Sequence, residues 1–111
     1  QRQIASQRMI QNAKDATAII TNPTHISIAI RYDREKDSAP VVIAKGADVL
    51  AMKIREIAKE NDIPMIENVP LARMLYRKVE VDQEVPAEMY QAIAEVLVAV
   101  YKIKNRYKKN K

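Results

Sequence analysis

The residues at 41–44 (Val-Val-Ile-Ala) form a continuous apolar run, and this run constrains the fold more than any other feature of the chain. A strand with one face in water needs only alternate apolar residues, so a continuous run indicates a strand that is covered on both faces. Such strands lie in the interior of α/β sheets, and we expect a central position for this one. Gly46, the only glycine, follows the run and predicts a turn into a helix.

Further short strands alternate with helical patterns along the rest of the chain. Apolar residues alternate with other residues over 26–30, and shorter strand patterns occur at 17–21 and 65–66. The helix after Gly46 ends near residue 61, a shorter helix covers 71–78, and Pro86 opens a terminal helix. The apolar residues that we expect to face the core are Leu50, Ile54, Ile57 and Ala58 in the first of these helices and Met89, Ile93, Val96, Val100 and Ile103 in the last.

This order of elements predicts a small single domain of the α/β class. We expect a roughly four-stranded central sheet that is flanked by about four helices. Residues 1–16 are polar with scattered apolar side chains, which indicates an N-terminal linker helix rather than a core helix. A chain of 111 residues has room for one such domain.

The composition excludes most cofactor chemistry. With no cysteine and one histidine, the chain has neither a thiol nucleophile nor the ligands of the common zinc and iron sites. A single glycine also excludes the glycine-rich loops with which many enzymes bind nucleotide phosphates. We therefore expect no cofactor and no metal.

The net charge of +5 and a pI near 9.5 favour acidic partners. A basic α/β module that binds nucleic acid is therefore the alternative function. The chain has no phenylalanine or tryptophan, and Tyr32 is the only aromatic residue on a predicted strand, so a base-stacking platform is lacking and nucleic acid is not the expected partner. Residues 105–111 are expected to form a basic, disordered tail.

One short segment has the residue types for a reaction. Asn22, Pro23, Thr24 and His25 lie between two predicted strands, and His25 is the only histidine. A labile asparagine ordinarily cyclises when the next backbone nitrogen attacks its side chain, and proline closes that route because its nitrogen bears no hydrogen. The reverse attack stays open: the side-chain nitrogen of Asn22 attacks the carbonyl carbon of the same residue, and Pro23 leaves as an amine. This reaction would cut the backbone between Asn22 and Pro23.

The two residues after the proline carry groups that would assist such a cut. His25 can transfer a proton at neutral pH, since an unperturbed histidine has a pKa of about 6.5. Thr24 can donate a hydrogen bond to the oxyanion that develops on the attacked carbonyl. Asn-Pro is also a common turn dipeptide, and an ordinary turn is the alternative that the residue types leave open.

The hexapeptide at 20–25 (Ile-Thr-Asn-Pro-Thr-His), with the alternating strand after it, resembles the self-cleavage site of the FlhB/YscU family of type III export switch proteins. Residues 38–46, 54–58, 70–76 and 94–97 resemble the same family in order and spacing. The resemblance covers residues 16–100 and is closer to the flagellar branch than to the injectisome branch.

The resemblance implies a single-turnover cut of the chain's own backbone, not a protease that acts on other proteins. The cut would switch export from rod and hook subunits to filament subunits, while the two pieces stay paired in one sheet. A membrane domain would precede the chain, with residues 1–16 as the linker and 17–104 as the self-cleaving domain, at the cytoplasmic face of the bacterial inner membrane. The implied partners are that membrane domain, the rod, hook and hook-length-control proteins, and other components of the export gate.

Four further residues correspond, by the same resemblance, to a shallow apolar patch that engages early export substrates. They are Ala39, Pro40, Ala94 and Leu97. Packing within the core is the alternative role for each of them.

Overall fold

A computed structural model describes residues 2–109 and, among their side chains, those of residues 5–106. The chain forms the α/β domain that the sequence predicts. The strands are β1 (Ala18–Asn22), β2 (Ile26–Arg31), β3 (Val41–Ala47) and β4 (Met65–Glu67). The helices are α1 (Arg2–Gln11), α2 (Val49–Glu60), α3 (Val69–Lys78) and α4 (Tyr90–Lys109), with short 3₁₀ turns at Asn12–Asp15 and Ala87–Met89.

The four strands form one mixed sheet in the order β3-β2-β1-β4. β1 and β2 are antiparallel, β2 and β3 are antiparallel, and β4 runs parallel to β1. Because side chains alternate between the two faces of a strand, Ile20 and Ile28 pack on one face with α3 and α4, while Ile19 and Ala29 pack on the other with α2. Helices thus cover both faces of the sheet, as expected.

The position of β3 corrects the prediction of a central strand, because β3 lies at the edge of the sheet. Residues 41–44 are nevertheless buried. Beyond the edge, the segment after α3 takes the place of a neighbouring strand: Asp82 N donates to Val42 O at 2.7 Å, and Val42 N donates to Gln83 O at 3.0 Å. A continuous apolar run reports coverage of both faces and carries no information on how many strands lie beside it.

Gly46 does not end β3, which continues to Ala47. Gly46 instead lies where α2 passes very close to the sheet. A Cβ atom at position 46 would lie 2.6 Å from the Cβ of Leu50, a distance that real Cβ atoms do not adopt. Glycine is required here for space, and its φ is not positive.

The two ends of the chain also differ from the sequence expectations. The N-terminal helix is packed against the domain, since Ile10 and the following Ala13 are buried beside α2 and β3. At the other end Val100 is buried but Ile103 is 47% exposed, because the last turns of α4 extend past the core.

Helix α4 continues to Lys109 and so covers most of the segment that we expect to be disordered. Lysine and arginine have good helix propensity and are favoured near a helix C-terminus, which accounts for the extension. Residues 110 and 111 lie outside the described part. Among the helices that the structure describes, none has the length and apolar character to cross a membrane.

Candidate functional site

The segment between β1 and β2 is a tight turn that joins two paired strands. Asn22 is the last residue of β1 and pairs with Ile26, the first residue of β2. The backbone N–H of His25 donates to the carbonyl oxygen of Asn22 at 2.9 Å and closes a β-turn. Pro23 occupies the second position of this turn, which its fixed φ favours, so the local sequence accounts for the geometry.

The Asn22–Pro23 bond lies at the boundary between the core and the solvent. Asn22 is 8% exposed, whereas the next three residues of the turn are exposed. Alternation along β1 places the Asn22 side chain on the same face as buried Ile20, toward α3 and α4. Asn22 as a whole is therefore largely shielded from bulk water, while the imidazole of His25 is accessible to it.

The carbonyl of Asn22 already accepts a hydrogen bond from a group that the sequence analysis missed. If a nucleophile attacks this carbonyl, negative charge develops on its oxygen, and the N–H of His25 is aimed at that oxygen at 2.9 Å. Stabilisation of the oxyanion by the Thr24 hydroxyl, which the residue types suggest, stays a prediction. The residue types alone do not reveal a backbone donor, because the position of the N–H depends on the geometry of the turn.

A second missed group is Asp48, which lies between β3 and α2 and reaches the turn from the neighbouring strand. Its backbone N–H donates to the carbonyl oxygen of His25 at 2.9 Å. Its carboxylate Oδ1 lies 3.8 Å from Nδ1 of His25, and the two side chains are 79% and 67% exposed. Asp48 is remote from His25 in the sequence, and the β2–β3 register, which pairs Ile26 with Ala47, brings the two together.

The start of β2 is anchored to α2 by buried polar contacts. The Ser27 hydroxyl is fully buried and donates to the carbonyl oxygen of Ala51 at 3.0 Å. It also accepts a hydrogen bond from the Arg55 guanidinium at 3.3 Å. Because Ser27 follows the turn closely, these contacts fix the side of the turn on which His25 lies.

All four residues of the predicted patch line one shallow pocket of about 210 Å³ at the other end of β2. Ala94 is exposed, whereas Ala39 and Leu97 are buried, and Leu97 also packs in the core. The pocket is completed by Tyr32, Ser38, Tyr90 and Ile93. The structure thus brings the patch residues together, and their binding role stays a prediction.

The loop that leads into this pocket is held by a bidentate ion pair. Arg31 donates through Nε and a terminal nitrogen to the Asp37 carboxylate at 3.0 and 2.9 Å. The Asp37 side chain is 4% exposed and also accepts a hydrogen bond from the backbone N–H of Asp33. The hydrogen bond from Arg31, followed by that of the backbone, holds the pKa of Asp37 below its ordinary value, because both favour the charged carboxylate over the neutral acid.

Comparisons with known proteins identify relatives that match most of this chain. The flagellar biosynthetic protein FlhB of Bacillus subtilis (strain 168) is 56% identical over 106 residues, which are 96% of this chain and 29% of that protein. FlhB of Salmonella typhimurium is 49% identical over 104 residues, which are 94% of this chain and 27% of that protein. The chain therefore spans less than a third of the curated relatives that it matches.

A solved structure gives the same fold. The crystal structure of the cytoplasmic domain of FlhB from Shewanella putrefaciens superposes with a TM-score of 0.90 at 38% identity, over 94% of this chain and 80% of that one. Residues 1–100 match the protein family described as FlhB HrpN YscU SpaS. The resemblance drawn from the turn and the four further segments is confirmed, and the chain belongs to this family.

Proposed function

We propose that this chain is the cytoplasmic part of a membrane-anchored component of a flagellar type III export apparatus, and that it cuts its own backbone between Asn22 and Pro23. The observation that carries the proposal is the turn itself, where a shielded asparagine precedes proline and its carbonyl accepts the His25 N–H at 2.9 Å. Family membership favours this function over the nucleic-acid-binding alternative.

The proposed reaction needs no second molecule for bond cleavage. The carboxamide nitrogen of Asn22 bonds to the carbonyl carbon of Asn22 and loses a proton, and the oxyanion is stabilised by the His25 N–H. The bond from that carbon to the Pro23 nitrogen then breaks, and the proline nitrogen takes up the proton. The products are a five-membered succinimide at residue 22 and a free secondary amine at residue 23. Later addition of one water opens the succinimide to a carboxylic acid.

The energy that the site must supply is modest. If an uncatalysed cut takes about a year and this site takes about ten minutes, the barrier falls from roughly 28 to roughly 21 kcal/mol. Orientation of the carboxamide by β1 and the turn, together with stabilisation of the oxyanion by the His25 N–H, is what the site offers toward this difference.

The sheet explains how the domain would survive the cut. β1 lies between β2 and β4 and is paired with both, and Ile19 and Ile20 are fully buried. The piece that ends at Asn22 therefore keeps its hydrogen bonds and its core contacts after the covalent link is lost. The cut changes the connectivity at one exposed end of β2, and we propose that this change switches export from rod and hook subunits to filament subunits.

The apolar patch around Ala39, Pro40, Ala94 and Leu97 is proposed to bind segments of the rod, hook and hook-length-control proteins. Its shallow form and apolar lining suit a short apolar segment rather than a small polar ligand. A membrane domain of the same protein and other gate components are the further proposed partners, at the cytoplasmic face of the inner membrane.

Mass measurement of the denatured chain tests the central proposal. We expect two pieces that meet between Asn22 and Pro23, with masses that sum to that of the intact chain before succinimide opening and exceed it by one water afterwards. A single intact mass after long incubation at neutral pH contradicts self-cleavage, whatever the fold.

A further inference from the structure

Asp48 has a backbone conformation that a side chain rarely adopts. Its φ is 52° and its ψ is −113°, a combination that is ordinarily reserved for glycine. Holding a non-glycine residue in such a region costs of the order of 1 to 3 kcal/mol. The only glycine of the chain lies two positions earlier, where it is needed for space and has no positive φ. The conformation therefore calls for an explanation in terms of the Asp48 side chain.

The usual explanation, helix capping, does not apply. Asp48 stands at the N-cap position of α2, where an aspartate normally accepts a hydrogen bond from a backbone N–H of the first turn. The Asp48 side chain makes no such capping bond. Its carboxylate is turned to the imidazole of His25 instead, with Oδ1 at 3.8 Å from Nδ1.

Two contacts between the same residues connect the carboxylate to the cleavage turn. The backbone N–H of Asp48 holds the His25 carbonyl at 2.9 Å, so the main chain of the histidine is fixed relative to Asp48. The carboxylate then faces one of the two ring nitrogens. A distance of 3.8 Å is long for a hydrogen bond, but contacts of this kind often tighten only as the reaction proceeds.

We propose that Asp48 is a positioning residue for the self-cleavage: its carboxylate orients the His25 ring and keeps the proton of the neutral imidazole on Nδ1. This inference rests on the proposed function. With Nδ1 protonated, Nε2 carries the lone pair and can accept the proton that the Asn22 carboxamide nitrogen loses, then return it to the Pro23 nitrogen. Asp48 takes no part in these proton transfers.

The experiment measures the cleavage rate of the full chain. The chain is synthesised with a radiolabelled amino acid in a cell-free reaction, and excess unlabelled amino acid is then added. Samples taken over time are denatured, and the intact chain and its two pieces are separated and quantified. Two variants remove the charge in different ways. Asp48→Asn keeps the size of the side chain, while Asp48→Gly removes it and relieves the backbone strain. Asp62 also has a positive φ, of 55°, and follows α2 instead of preceding it, so Asp62→Asn is the matched control.

We expect both Asp48 variants to cut about tenfold more slowly, a fraction of the roughly 10²- to 10⁴-fold that a positioned base contributes. The Asp48→Gly variant should cut more slowly and yet unfold at the same temperature as the original chain or at a higher one. The Asp62 control should cut at the original rate. Restoration of the rate by Asp48→Glu would further favour a carboxylate that acts on the ring.

A double variant separates positioning from a structural effect. If Asp48 acts through His25, adding Asp48→Asn to His25→Ala should slow the reaction no further, whereas independent structural effects would multiply. Cleavage of Asp48→Asn at the original rate, or a full tenfold effect in the His25→Ala background, overturns the inference. Absence of any cut in the original chain would instead contradict the proposed function, so the two failures are distinguishable.

Discussion

The two ends of β2 use charged residues in opposite ways. At the start of β2, His25 and Asp48 are both exposed and 3.8 Å apart, and the turn is closed by backbone hydrogen bonds at 2.9 Å. At the end of β2, Asp37 is 4% exposed and bound to Arg31 at 2.9 Å. Exposed pairs stabilise a fold little, whereas buried bidentate pairs are costly to break. Charge at the second end therefore holds a loop in position, whereas charge at the first end contributes little to stability.

The largest effect is expected from the nucleophile at the first end. Asn22→Ala removes the only nitrogen that can attack, so no cut should occur, and mass measurement after denaturation should find the chain whole. Asn61→Ala is the matched control, since Asn61 is exposed at the end of α2, and this variant should still be cut. Continued cleavage of the Asn22 variant at the same bond would contradict cyclisation as the mechanism.

The second effect concerns the histidine and should be smaller, because the backbone N–H and the turn survive the change. His25→Ala is expected to slow the cut about 10²-fold, the lower end of what a positioned acid or base supplies. The chase experiment gives the rate directly.

The pH dependence sharpens this prediction. A histidine must be neutral to accept a proton, so the rate should fall on acidification as the ring becomes charged. The His25→Ala variant should lose this dependence while keeping its low rate. A flat profile from pH 5 to 8 in the original chain would remove the histidine from the mechanism.

The contrast between the two ends also shows how far sequence reasoning extends. The turn after β1 was predictable, because proline in its second position and the alternation of β2 are local signals. The Asp48 contact was not, because it depends on which residue of β3 lies opposite Ile26. Register is decided by packing of whole strands and leaves no trace in a short motif.

For elements farther from the turn, too, the sequence predicts local structure but not the contacts between elements. The apolar run at 41–44 correctly indicated burial, but β3 is an edge strand of the sheet, and the segment that contains Gln83 hydrogen-bonds along its outer side. Gly46 was predicted to form a turn, but it is needed because Leu50 of α2 packs directly against it. This contact between a strand and a helix depends on the tertiary packing and leaves no local signal in the sequence. Local signals predicted the elements, and contacts between elements decided their neighbours.

The smallest effect is expected at the second end of β2, where the change should alter stability and not the reaction. Asp37→Asn removes the charge from the bidentate pair and should lower the free energy of unfolding by about 1 to 2 kcal/mol, less than for a fully buried pair because Arg31 is 36% exposed. Urea unfolding measures the change. Glu35→Gln is the control, since it removes one negative charge from an exposed position of the same loop.

The lowered pKa of Asp37 fixes the sign of its dependence on pH. Because the carboxylate is favoured in the folded state, its contribution is fully present above the ordinary carboxyl pKa of about 4 and is lost as the pH falls through the lower value of the folded chain. The original chain and the Asp37→Asn variant should therefore differ most in stability near neutral pH and converge in strong acid. Equal stability at pH 7, or a difference that grows on acidification, would show that this end of β2 does not depend on its ion pair. A reduced cleavage rate in Asp37→Asn would show that the loop at one end of β2 influences the turn at the other end.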